Sequence, residues 1–185
     1  MKRVAAVLLF AVLFTAGCGV PIDNQARAVN RATTTTSTTS TTPDSPSTFV
    51  SVFFVDEKGK ETQPGGLVPH LVAVADEPTV REALTVLFTT EVPPQLKTKI
   101  PKGTQVISVD ASGSQVAVDI TSEINDVKGD SQKAAYAQMV FTVLAFDEFS
   151  SVRFLIEGNP VEAPTDGPNR ERVTALDYQP PLNPG

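Results

Sequence analysis

IPKGTQVISVDASGSQVAVDITSEI, residues 100–124, is the stretch that decides the fold. Val116, Val118 and Ile120 alternate with Gln115, Ala117 and Asp119, and Ile107 and Val109 alternate with Ser108 and Asp110. A period of two marks strands with one face toward a core. Ala111-Ser112-Gly113-Ser114 lies between the runs and supplies turn residues, so the segment reads as a hairpin with one apolar face. Such a face needs a cover.

The cover is predicted in the flanking segments of the chain. In EPTVREALTVLFTT, residues 77–90, Val80, Ala83, Leu84, Leu87 and Phe88 recur at helical spacing. Thr79 and Glu82 have the spacing of a capping box, and Pro93-Pro94 stops the helix. SQKAAYAQMVFTVLAF, residues 131–146, reads as a second helix, with Tyr136, Met139, Val140, Val143 and Leu144 on one side and Asp130 as N-cap. TFVSVFFVD (48–56) and SSVRFLIEG (150–158) are rich in Val, Ile and Phe and read as strands. LVPHLVAVA (67–75) is a further extended run, with Pro69 expected to hold its first part at an edge or outside the ladder. ERVTALDY (171–178) offers a last edge strand, and PPLNPG (180–185) is expected to fray. The class is α+β: a small mixed or antiparallel sheet with two helices on one face, in the order β(β)αββαβ.

The chain begins differently. Lys2 and Arg3 precede an uncharged run from Val4 to Phe14, then Thr15, Ala16 and Gly17 lead to Cys18, the one cysteine. A charged start, a short apolar run and small residues form a secretion signal. The run is shorter than the roughly 20 apolar residues that a spanning helix needs. Ala16-Gly17-Cys18 resembles a bacterial lipobox, with Thr15 where leucine is usual. The resemblance implies cleavage before Cys18 and a diacylglycerol on its thiol, anchoring the chain at the extracytoplasmic face of the cell membrane. Residues 1–17 are then the signal peptide and 18–48 a lipidated tether, because ATTTTSTTSTTPDSPST (32–48) cannot bury enough surface to offset its ordering entropy. Residues 49–185 are left for one domain.

Net charge is −6, and −8 without Lys2 and Arg3, with no Lys/Arg block after the signal. Nucleic acid is therefore not an expected partner, since its backbone demands compensating positive charge. A single cysteine and a single histidine, His70, give no His/Cys metal site. A Ser-His-Asp triad would rest on His70, and no Gly-x-Ser-x-Gly elbow accompanies it. Asp119, Glu123 and Asp126 follow the hairpin and Asp147 and Glu148 end the second helix, and chance supplies such pairs among 21 acids. Lys102-Gly103-Thr104 lacks the glycine-rich lead of a phosphate loop and reads as a turn entering a strand. No catalytic residue, cofactor or metal ligand is expected.

Several pieces recur together in a known family. Ala83-Leu84 with Leu87-Phe88, then IPKGTQVISVDASGSQVAVDIT, then YAQMVFTVLAFDEFSSVRFLIEGNPV, resemble a GerMN domain over roughly residues 50–163. The carrying positions are the Pro-x-Gly-Thr entry at 101–104, Asp119 ending the second hairpin strand, the run Gln138, Val140, Thr142, Val143 and Leu144, and Gly158 closing the last strand. The usual Gly-Pro after the first helix is replaced by Thr89-Thr90-Glu91. The resemblance implies an extracytoplasmic, non-enzymatic module. On this reading the chain binds another envelope protein or peptidoglycan, with self-association through an edge strand at 67–75 or 171–178 as a further route. The alternative is a lipid or small-molecule carrier. It would use Phe53, Phe54, Phe88, Phe141, Phe146, Phe149 and Phe154 as a pocket lining rather than as core.

Overall fold

The computed structural model describes residues 48–58 and 66–184, so Cys18 and nearly all of the tether lie outside the described residues. In chain order the elements are β1 (Thr48–Val55), β2 (Leu67–Val74), α1 (Val80–Thr89), β3 (Val106–Ser112), β4 (Gln115–Ile120), α2 (Gly129–Leu144), β5 (Ser151–Ile156), β6 (Asn159–Val161) and β7 (Arg172–Val173). Short 3₁₀ turns at Ser122–Asp126 and Ala175–Asp177 join them. The fold is α+β in the order read from the sequence.

The strands divide between two sheets. β1 and β2 pair antiparallel as a hairpin of their own, and β3-β4-β5-β6 form the larger sheet, with β7 also pairing β5. β4 and β5 are parallel, and α2 makes the crossover between them. α2 packs against β1, β5 and α1. It is consequently buried almost all round from Ala134 to Val143, not on one side as the stripe predicted. Tyr136 meets Phe154 edge-on with ring centroids 4.9 Å apart.

The hairpin of β3 and β4 forms as expected, turning at Gly113, whose φ of +58° suits glycine. Val116, Val118 and Ile120 are fully buried. Ile107 departs from the expected apolar face. It sits where the register slips between Val106 and Ser108, and it is 44% exposed.

Thr79 caps α1, its hydroxyl accepting from the Glu82 N–H at 3.2 Å. The fully reciprocal box occurs instead at Thr174 and Asp177. α2 starts earlier than expected: Lys128 holds the cap position with no side-chain bond, and Asp130 lies in the first turn. Residues 181–183, expected to fray, are held by hydrogen bonds. Tyr178 is fully buried and donates to the Pro164 carbonyl, and the Pro181 carbonyl accepts from the Leu67 N–H at 3.1 Å. Gly66 lets this approach happen, since a Cβ there would stand 2.0 Å from the Pro181 oxygen.

Candidate functional site

β1 has two edges, and they are treated differently. One pairs with β2 in an unbroken register from Thr48↔Val74 to Val55↔Leu67. On the other, Val55 exchanges two 2.8 Å hydrogen bonds with Lys97. The next pair in that register would be Phe53 with Lys99. There Gln138 of α2 intervenes: its Nε2 donates to the Phe53 carbonyl and its Oε1 accepts from the Lys99 N–H, both at 2.8 Å. Thr142, one helical turn on, accepts from the Phe53 N–H at 3.2 Å. Gln138 and Thr142 are both fully buried, and these bonds satisfy backbone groups that would otherwise be orphaned. This is why the pairing of β1 with residues 97–99 stops at a single bridge.

The same geometry sets the outer edge of β2. Phe53 and Val55 turn their backbone groups away from β2, so ladder bonds fall on the alternate pairs, such as Val52 with His70 and Val50 with Val72. The backbone groups of Pro69, Leu71 and Ala73 therefore point outward. Pro69, expected at an edge or outside the ladder, lies on an edge strand opposite Phe53, in a pair that needs no N–H from it. Its missing donor blunts the outer edge, which is left with the donors of Leu71 and Ala73. Leu71 is 64% exposed, and Phe49 of β1, on the same face, is 55% exposed. Residues 69–73 thus form an apolar edge that no strand covers among the described residues. β7, the other edge expected from the sequence, is only two residues long and is paired with β5.

The chemistry candidates scatter. His70 is half-buried in β2 with its ring 6.0 Å from that of Phe54. Asp119 holds a turn: its two carboxylate oxygens accept from the Gly158 N–H at 3.0 Å, where Glu157 and Gly158 both have positive φ. Asp119 and Gly158 were legible separately, and the structure joins them. Glu123 follows on the Ser122–Asp126 turn, its carboxyl held below the ordinary value by the Thr121 hydroxyl and its own backbone. Asp126, Asp147 and Glu148 are exposed. Thr104 is buried and bonds back to the Pro101 carbonyl, as a turn residue does. Among the described residues no three His, Cys, Asp or Glu side chains gather as a metal site. Nor is any helix there long and apolar enough to cross a membrane.

Among the seven phenylalanines considered as a pocket lining, Phe54, Phe141 and Phe154 are buried, and the others pack partly buried against the same core. Phe146 and Phe149 reach clefts. Both line one of about 330 Å³ beside the start of α1, and Phe149 also lines one of about 620 Å³ beside Arg172. Both clefts open to solvent and mix polar with apolar walls. A third, of about 250 Å³, is largely polar and lies between Thr165 and Gln179. Beside it, Asp166 accepts from the Gln179 N–H and from Lys133 at 2.7 Å, which together hold its carboxyl below the usual range. Burial pushes the Tyr136 hydroxyl up to about 12, and the Tyr178 hydroxyl is raised for the same reason.

Solved structures that resemble this arrangement include two from one protein. The first GerMN domain of the sporulation protein GerM from Bacillus subtilis matches with a TM-score of 0.57 and 18% identity, covering 70% of this chain and 99% of that one. The tandem GerMN domains of the same protein match with a TM-score of 0.58 and 18% identity, covering 70% of this chain and 47% of that one. At that identity the likeness shows the fold. A comparison with curated proteins gave no match. The family model "Germane: Sporulation and spore germination" matches residues 51–162, which span the β1–β2 hairpin, the Gln138–Thr142 bridge and the Asp119–Gly158 turn, and the chain therefore belongs to the Germane family.

Proposed function

We infer that the chain is a non-catalytic interaction module of the bacterial cell envelope, tethered to the membrane by a lipid on Cys18. The open outer edge of β2 carries this reading. Its outward groups at Leu71 and Ala73 offer backbone bonds to an added strand, and exposed Leu71 and Phe49 offer apolar contact beside it. A strand edge reads backbone, so a protein segment is the favoured partner over a glycan. A second copy of the chain and a peptidoglycan peptide satisfy the same chemistry. The acidic charge of −6 supports a lipid, rather than broad electrostatic adhesion, as the means of attachment.

A photo-crosslinking residue placed at Ala73 of the full chain, in cells, tests the reading. The expected product is a discrete adduct with an envelope protein, lost when Leu71→Asp is introduced. If no protein or peptidoglycan fragment is captured, and the purified chain instead carries a bound lipid or metabolite, the carrier reading replaces this one.

A further inference from the structure

Among the described residues four arginines occur in the folded part, and three are committed. Arg81 donates to the carbonyls of Val106 and Ile107, Arg153 approaches Glu171 at 3.4 Å, and Arg170 meets Asp177 at 2.7 Å. Arg172 has no partner among the described residues. It also faces Arg153 directly across the β5–β7 pair, where like charges oppose each other on one face of a sheet. An unpaired guanidinium beside a second one, in a domain rich in acids, marks a place where an anion would be stabilising.

The surroundings say what kind of anion. Arg172 lines the cleft of about 620 Å³ together with Ser151 and Thr174, which the β5–β7 register brings opposite each other one step further on. The facing wall is apolar, made by Leu144, Phe149 and Leu176. Leu176 is 85% exposed, the most exposed large hydrophobic residue described. One planar guanidinium fits one carboxylate through a bidentate fork, and the hydroxyls add donors beside it. A phosphate-rich polymer is disfavoured, because the chain is acidic and a single uncommitted guanidinium in the cleft would face many negative charges.

We propose that this cleft binds the free carboxylate end of a peptide whose last side chain is apolar, with Arg172 gripping the carboxylate and Leu144, Phe149 and Leu176 receiving the side chain. The site shares no residue with the β2 edge and stands whether or not that edge binds a partner.

Acetyl-Ala-Leu with a free carboxylate, and its carboxamide, are titrated into the isotope-labelled full chain in detergent micelles and followed by amide chemical shifts. The carboxylate should give saturable shifts at Ser150, Ser151 and Arg172, and the carboxamide should not. Arg172→Gln should weaken binding about tenfold or more, which is about 1.4 kcal/mol per tenfold, with the melting temperature unchanged. Leu176→Ser trims the wall without touching charge, and should also weaken binding should Arg172→Gln disturb β7. The proposal is overturned by no response, by equal response to the carboxamide, by shifts confined elsewhere, or by displacement with equimolar inorganic phosphate.

Discussion

Gln138 and Phe53 are joined by a 2.8 Å bond from a side-chain amide to a backbone carbonyl, and through it α2 closes an edge of β1 that no strand covers. The other end of the same amide takes the Lys99 N–H. One buried side chain thus stands in for a rung of a ladder. Replacing it with alanine leaves a buried donor and a buried acceptor unpaired, each costing about 1–3 kcal/mol. Gln138→Ala should therefore lower the unfolding free energy by about 2–6 kcal/mol in urea. Loss below about 1 kcal/mol would mean that water or a relaxed backbone replaces the amide.

Gly66 tests the docking of the C-terminal residues. Gly66→Ala forces a Cβ against the Pro181 carbonyl and should destabilise by about 1–3 kcal/mol. Removing residues 180–185 should itself be destabilising but should erase most of the alanine penalty, because the clash partner is gone. Strict additivity of the two changes in a double-mutant cycle would place the strain elsewhere.

The Lys133–Asp166 pair predicts a pH profile. The carboxyl of Asp166 is held low by the Gln179 N–H first and by Lys133 second. Its contribution to stability is complete above the unfolded value of about 3.9 and is lost as pH falls through the lower folded value. Lys133 is raised, chiefly by Asp166, so its contribution is complete below about 10.4 and is lost as pH rises through the higher folded value. Asp166→Asn should flatten the acid limb of the melting-temperature profile. An unchanged acid limb would show that other carboxyls govern it.

A chain beginning at Phe49 retains every described helix and strand except the first residue of β1, and should unfold in one cooperative transition by circular dichroism. A gradual, non-cooperative melt would place the boundary wrongly.

Lipid attachment is tested in cells. With a labelled fatty acid in the medium, the parent chain should carry label and Cys18→Ala should carry none. Undiminished labelling of the variant would remove Cys18 as the anchor.

Periodicity alone determined most of the elements. Val116, Val118 and Ile120 announced a strand with one buried face, and Val80, Ala83, Leu84 and Leu87 announced a helix, because burial repeats every two residues in one and every three to four in the other. The Thr79 cap was legible because capping is local. What only the tertiary structure decided are the relations between distant residues. Gln138 and Thr142 look in the sequence like polar breaks in an apolar helix. They become necessary only once β1, 85 residues before Gln138, lies against them. Ile107 was read as a core position and fell outside it, since a bulge depends on how two strands meet. The last residues looked too proline-rich and polar to order, but Tyr178 and Pro181 are held by surfaces that do not exist until α2 and β2 have assembled. Arg172 followed the same rule: that it has no partner among the described residues depends on which acids other arginines had taken, and no spacing along the chain records that.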